Sequence, residues 1–230
     1  MSDAEQHQPE PQGNAVRRRL SHWPPITTAV ILICVLMAVV GRMQPQVTVE
    51  LMFYPPLATA QPYRFLTSAV LHGGFWHLVF NMYALWLLGR LLESALGKLR
   101  FLSLYIVSAI GGNTAIMLLS NLTGEWNIGA VGASGAIFGL FGSLAVLYRR
   151  VKANMSGIIT LLVINVVLGF VVPGISWESH LGGLIVGSIL TWLWIATGTR
   201  FKGQRQTLRK VVDIAISIAI LAILLALAWI

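Results

Sequence analysis

Residues 129–148 read GAVGASGAIFGLFGSLAVLY, with five glycines and no charged residue. Gly132, Gly135, Gly139 and Gly142 recur at spacings of three and four, which places them along one stripe of a helix. Stripes of small residues let transmembrane helices approach closely. An uncharged apolar helix with such a stripe belongs in a bilayer, packed against a neighbour. One hydroxyl stands at its start, Ser134. A serine between glycines serves packing as readily as chemistry, so its meaning has to come from the rest of the chain.

The rest of the chain reads as membrane protein. Of 230 residues, 56% are hydrophobic and 10% charged, where a soluble domain carries about 25% charged. A bilayer core takes about 20 mostly apolar residues per helix. Seven runs answer to this, near 26–43, 75–92, 99–120, 132–148, 155–173, 179–198 and 211–229. They predict an all-α polytopic membrane protein. Residues 1–22 begin polar and proline-containing and are expected to form a disordered tail. No cleavable signal peptide is evident, since no small-x-small site follows the first run. The single cysteine, Cys34, excludes an intrachain disulfide framework and a cysteine zinc cluster.

The net charge of +8 has a topological origin. Arg17, Arg18 and Arg19 precede the first run, and Arg90, Lys98 and Arg100 lie between the second and third. Arg149, Arg150 and Lys152 follow the fourth, and Arg200, Lys202, Arg205, Arg209 and Lys210 separate the sixth from the seventh. With seven spans all of these fall on one side, and only Arg42 and Arg64 on the other. The positive-inside rule then predicts a cytoplasmic N-terminus and an external C-terminus, and a nucleic-acid partner has nothing left to explain. The outer connection 44–64, QPQVTVELMFYPPLATAQPYR, is long and greasy. It reads equally as a loop packed on helix ends or as a segment in the membrane interface, where aromatic residues are favoured.

Polar residues are expensive in spans and face the protein interior or water. His72, His77 and Asn81 open the second span, Ser134 the fourth and His180 the sixth. Even-numbered spans run from outside to inside, so three separate segments carry these groups at a similar depth. His77 and Asn81, four apart, share a helix face. Gly183 and Gly187 share a face with His180. If the fourth and sixth spans pack through their glycines, Ser134 and His180 meet, with Phe138 one turn below Ser134. Asn113 and Asn165 read as interhelical hydrogen-bond glue.

A serine hydroxyl becomes a nucleophile when a neighbouring base takes its proton, and imidazole titrates near neutrality. Oxyanion donors are available from Asn81, His77 and the Ser134 amide. Glu178, two residues before His180, points elsewhere on a helix, so the expected unit is a Ser134–His180 dyad. A proton-coupled transporter relaying through His77 and His180 is a rival, but the acidic residues usual in such relays are missing from the spans. A non-catalytic protein that binds transmembrane clients is the other alternative.

These motifs resemble the rhomboid family of intramembrane serine proteases, from about Tyr63 to Gly187. HGGFWHLVFN at 72–81 is similar to the family's His-x-x-x-Asn, GASGAIFG at 132–139 to its Gly-x-Ser-Gly, and SHLGGLIVG at 179–187 to its His-x-x-Gly-x-x-x-Gly. The resemblance implies a rhomboid-like six-helix core over 23–198, a basic cytoplasmic linker over 199–210 and an extra C-terminal transmembrane helix over 211–230. It implies Ser134 as nucleophile and His180 as general base. It implies an oxyanion site from His77, Asn81 and the Ser134 backbone, with Gly132, Gly135, Phe138, Gly183 and Gly187 in support. Phe138 stands where the family often has tyrosine under the histidine, and Tyr63-Arg64 where it commonly has Trp-Arg. It further implies single-pass or polytopic membrane-protein substrates in the lipid bilayer, and a bacterial plasma membrane is the expected home. The fifth span with the outer loop 172–178 is expected to act as gate and cap. No cofactor and no metal is implied.

Overall fold

Each of the seven apolar runs forms a helix in the computed structural model, which describes residues 23–171, 176–200 and 206–229. The helices are α1 (Pro25–Met43), α2 (Pro45–Leu51), α3 (Pro55–Ala58), α4 (Arg64–Thr67), α5 (Phe75–Leu96), α6 (Lys98–Thr123), α7 (Ser134–Arg150), α8 (Ser156–Val171), α9 (Trp177–Arg200) and α10 (Gln206–Ala228). Local chemistry sets their limits. Proline opens α1, α2 and α3 at positions whose N–H would lack an intrahelical partner anyway. Gly97 at φ +84° turns α5 directly into α6, and left-handed Gly124 ends α6. The expected tail 1–22, residues 172–175 of the outer loop, 201–205 of the linker and the Asn165 side chain lie outside the described residues.

The protein is an all-helical integral membrane protein. Among the described residues five helices, α1, α5, α6, α9 and α10, are long and apolar enough to cross a bilayer. α7 and α8 have 17 and 16 residues, about 26 and 24 Å of helix beside a hydrocarbon core of about 30 Å. α7 is short because residues 124–133 before it are not helical.

Helices α6, α7 and α9 pack most closely, through small residues. A Cβ on Gly183 of α9 would stand 1.9 Å from the Gly135 carbonyl oxygen of α7, and one on Gly187 would stand 2.3 Å from that of Gly139. A Cβ on Gly182 would stand 2.6 Å from the Gly111 carbonyl of α6. The glycine stripes read from the sequence are therefore the contact surface between α7 and α9. α10 packs on α6 and α9. Its Asp213 is buried and ion-paired with Arg100 at the start of α6, while Trp194 Nε1 donates to the Asp213 carbonyl (3.2 Å). This corrects the expectation that the spans hold no acidic residue, since Asp213 falls within the run 211–229. Its charge is tolerated because the guanidinium neutralises it.

At the same end, α1 is held by a carboxylate from another helix. Ile26 and Thr27 N–H donate to Glu93 Oε1 and Oε2 of α5 (3.0 and 2.9 Å), and the Thr27 hydroxyl donates to Oε2 (2.8 Å). Glu93 thus caps the positive end of α1, which has no side-chain cap of its own.

Candidate active site

The segment leading to Ser134 is non-helical backbone inside a membrane bundle, and its polar groups need partners there. The connection between α1 and α5 supplies them. Phe53 and Ala130 exchange backbone hydrogen bonds (3.0 and 2.9 Å), and Gly132 N–H donates to the Ser68 carbonyl (2.9 Å). That connection is itself pinned by Arg64, 5% exposed, whose Nη1 donates to the carbonyls of Val49 and Met52 (2.9 and 2.7 Å). Phe53 and Phe65 are fully buried in edge-to-face contact, so part of this segment's greasiness is core, while Val49, Leu57 and Tyr63 face outward. Asn113 of α6 donates to the Phe65 carbonyl and to Ser68 Oγ (both 2.8 Å). It ties α6 to this segment rather than to a neighbouring span.

Ser134 is the first residue of α7 and is half-buried. The first bond closing that helix runs from Ile137 N–H to the Ala133 carbonyl (3.0 Å). The amides of Ser134, Gly135 and Ala136 are left without intrahelical acceptors, at the positive end of the helix dipole. Gly132 just before has φ +138°, and a Cβ there would stand 2.9 Å from both Cε1 and Nε2 of His77 and 3.5 Å from Ser134 Oγ. Only glycine fits this backbone and this approach. His77 Nδ1 accepts a long bond from Gly73 N–H (3.4 Å), which leaves the imidazole proton on Nε2, the atom facing Gly132. Asn81 is buried one turn further along α5 and donates from Nδ2 to the His77 carbonyl (2.8 Å). One amide N–H remains for another acceptor. A polar cavity of about 20 Å³ touches His77, Ser134, Ser68, Asn113 and Ser179, room for one water.

α9 starts where Ser176 Oγ accepts from Ser179 N–H (3.3 Å), an N-cap that sets His180 one turn into the helix. The Ser176 hydroxyl donates to Glu178 Oε2 (2.8 Å), so this carboxylate is engaged at the helix start. His180 is 7% exposed, and its ring lies flat on Phe138, with centroids 4.0 Å apart and planes within 10°. Phe138 is four residues along α7 from Ser134, on the same face. Among the described residues His180 Nε2 is buried with no hydrogen-bond partner. A buried imidazole nitrogen left unpaired calls for an explanation.

His72 lies in the turn before α5, its ring edge-to-face with His77 at 5.3 Å. Burial and the neighbouring His77 push its pKa down to about 4, which keeps the ring neutral. Sequence reasoning singled out His77, Asn81, Gly132, Ser134, Gly135, Phe138, His180, Gly183 and Gly187. The structure gathers them where α5, α7 and α9 meet. It adds Ser68 and Ser176, which carried no motif, and Ser179, which opens the quoted stretch 179–187 without being one of its pattern positions.

Residues 59–197 match the family model of the Rhomboid domain. YdcA of Bacillus subtilis (strain 168), a protein named for the rhomboid proteases, is 39% identical over 144 residues, 60% of this chain and 70% of that protein. The rhomboid protease GluP of the same organism is 39% identical over 136 residues, 57% of this chain but 26% of GluP. RHOMBOID-like protein 5 of Arabidopsis thaliana is 31% identical over 179 residues, 68% of this chain and 57% of that protein. The matched region contains the whole cluster built around Ser134, and the chain belongs to the rhomboid family of intramembrane proteases.

Proposed function

We propose that this chain is a serine endopeptidase that hydrolyses peptide bonds in or next to transmembrane helices of membrane-protein substrates. The observation that carries the reading is the His180 ring stacked on Phe138, itself one helical turn along α7 from Ser134, with His180 Nε2 buried and, among the described residues, unpaired. In this mechanism Ser134 Oγ attacks the scissile carbonyl carbon and His180 Nε2 takes its proton. The tetrahedral oxyanion is met by the Ser134 amide, His77 Nε2–H and the free Asn81 N–H. Collapse breaks the C–N bond, and the leaving amine takes the proton from His180. Water then hydrolyses the acyl-enzyme with His180 again as base. Helical peptide bonds are shielded by their own hydrogen bonds, so the substrate unwinds locally. Small or helix-breaking residues at the cut site are expected to favour cleavage.

With α7 and α8 also crossing, the basic residues collect on one side, and the reading places the N-terminus in the cytoplasm of a bacterium. Residues 23–198 then form the catalytic six-helix core and α10 the extra span. Ser134 lies near the outer face, where water reaches it. α8 makes the lightest contacts of the long helices, which suits lateral entry of substrate between α5 and α8. The deciding experiment replaces Ser134 with Ala, and separately His180 with Ala, and follows cleavage of a model transmembrane substrate in liposomes. Cleavage by wild type and its loss in both variants is the expected result. Cleavage retained in either variant refutes the dyad, and an inactive, fluorophosphonate-unreactive wild type would make the chain a non-catalytic member.

A further inference from the structure

α5 is 22 residues long and starts beside the Ser134 cluster, so its other end lies about 33 Å away. There the α5–α6 turn, the first three turns of α10 and Trp194 of α9 line a cavity of about 500 Å³. Among the described residues four basic side chains line it, Lys98, Arg100, Arg209 and Lys210, against a single carboxylate, Asp213. Arg100 bonds its Oδ2 and balances its charge, while its Oδ1 is buried and, among the described residues, unpaired. Arg209 lies across Gly198 of α9, where a Cβ would stand 2.6 Å from its Nη2, and among the described residues its Nε is buried without a hydrogen-bond partner. The start of α6 has no side-chain cap, so its first amides and its dipole also favour an anion here. Leu99 and Ile214 border the same cavity and are largely exposed.

We propose that this cavity binds the phosphodiester headgroup of an anionic phospholipid. Lys98, Arg209 and Lys210 hold the phosphate, the α6 amides face it from below, and Leu99 and Ile214 meet the first carbons of the acyl chains. A soluble phosphate shares the first two contacts. The lipid is favoured because the cavity sits where membrane-spanning helices end, at headgroup depth, and because its rim is apolar. The site is independent of the proteolytic reading.

The test uses the full chain, stripped of lipid in neutral detergent and titrated with phosphatidylglycerol or phosphatidylcholine under native mass spectrometry. The wild type is expected to take one phosphatidylglycerol with a Kd at least tenfold below that for phosphatidylcholine. Lys98→Gln/Arg209→Gln/Lys210→Gln loses this preference. Arg149→Gln/Arg150→Gln/Lys152→Gln, which removes the same charge from the end of α7, keeps it. If the first triple variant fails to fold, Arg209→Gln alone takes its place, with at least a threefold loss expected. Equal loss in both triples, loss in neither, or no preference in the wild type overturns the site. Displacement of the lipid by equimolar inorganic phosphate reassigns the site to a soluble phosphate and overturns the lipid reading.

Discussion

Replacing Gly183 by alanine adds one methyl group at the closest approach of α7 and α9. The new Cβ would stand 1.9 Å from the carbonyl oxygen of Gly135, 2.8 Å from its carbonyl carbon and 3.3 Å from its Cα. All three atoms are backbone, so no side-chain rotation relieves the overlap. Real Cβ contacts are essentially never shorter than 3.0 Å, and the two helices have to part by at least about 1 Å at this point. Gly135 is bonded to Ser134, and Gly183 lies one turn from His180. The displacement therefore falls on the separation of the proposed nucleophile and base. A misplacement of about 1 Å costs on the order of 10²-fold in rate, while overpacking of this kind costs about 1–3 kcal/mol of stability. The assay is kcat/KM on a transmembrane substrate in liposomes, with thermal unfolding and the fluorophosphonate labelling rate measured on the same samples. Gly157→Ala on α8 is the control, because a Cβ there meets nothing within 4 Å, and it should leave kcat/KM unchanged. A folded Gly183→Ala protein within threefold of wild-type kcat/KM would show that this glycine contact does not set the Ser134–His180 geometry.

Three further substitutions probe separate parts of the argument. Glu93→Ala strands two backbone N–H groups and a hydroxyl at the start of α1, of which the Thr27 N–H and hydroxyl are buried; at about 1–3 kcal/mol for each buried unsatisfied group, it should lower stability by about 2–6 kcal/mol in a denaturant or thermal titration. A loss below about 1 kcal/mol would mean that Glu93 does not act as the cap. Phe138→Leu keeps apolar bulk but removes the ring under His180, a contact worth about 0.5–1.5 kcal/mol, so kcat/KM should fall by about two- to tenfold while the unfolding midpoint moves by only a few degrees; unchanged kcat/KM would reduce the stack to packing. Gly132→Ala forces a side chain into φ +138° and against the His77 ring, a strain of about 1–3 kcal/mol, and should abolish cleavage in a chain that still folds.

Hydropathy made the helices legible, because a bilayer demands long uncharged runs and each run here became one helix. The glycine stripes were legible for a related reason. Small residues at helical spacing announce a close neighbour, and α7 and α9 meet through Gly135, Gly139, Gly183 and Gly187 as expected. Pairings between distant residues were not legible. Nothing local ties Glu93 to Thr27, and the only hint was an acid in the last turn of a helix, where the dipole disfavours it. Asp213 was overlooked inside a greasy run, and its partner Arg100 stands 113 residues away. Ser68 and Ser179 line the cavity at Ser134 without being positions of any motif, since a serine's role depends on what folds against it.

The connection between α1 and α5 shows why so much of this site lies outside its motifs. A helix that starts inside a membrane bundle exposes free amides, and the chain entering it brings further unpaired backbone groups to the same depth. Each such group costs several kcal/mol in hydrocarbon. Ser134 gains its place at a positive helix end only if something else satisfies the segment before it. Phe53 and Ser68 do so directly, Arg64 braces the loop that holds them, and Asn113 fixes that loop to α6. The segment 44–68 is thus the scaffold for the Gly132 turn, and a fault at Arg64 would be felt at Ser134 although the two never touch. On the proposed topology Ser134 lies near the outer face, where water reaches it, and the surrounding loop satisfies the backbone groups that such a position would leave free.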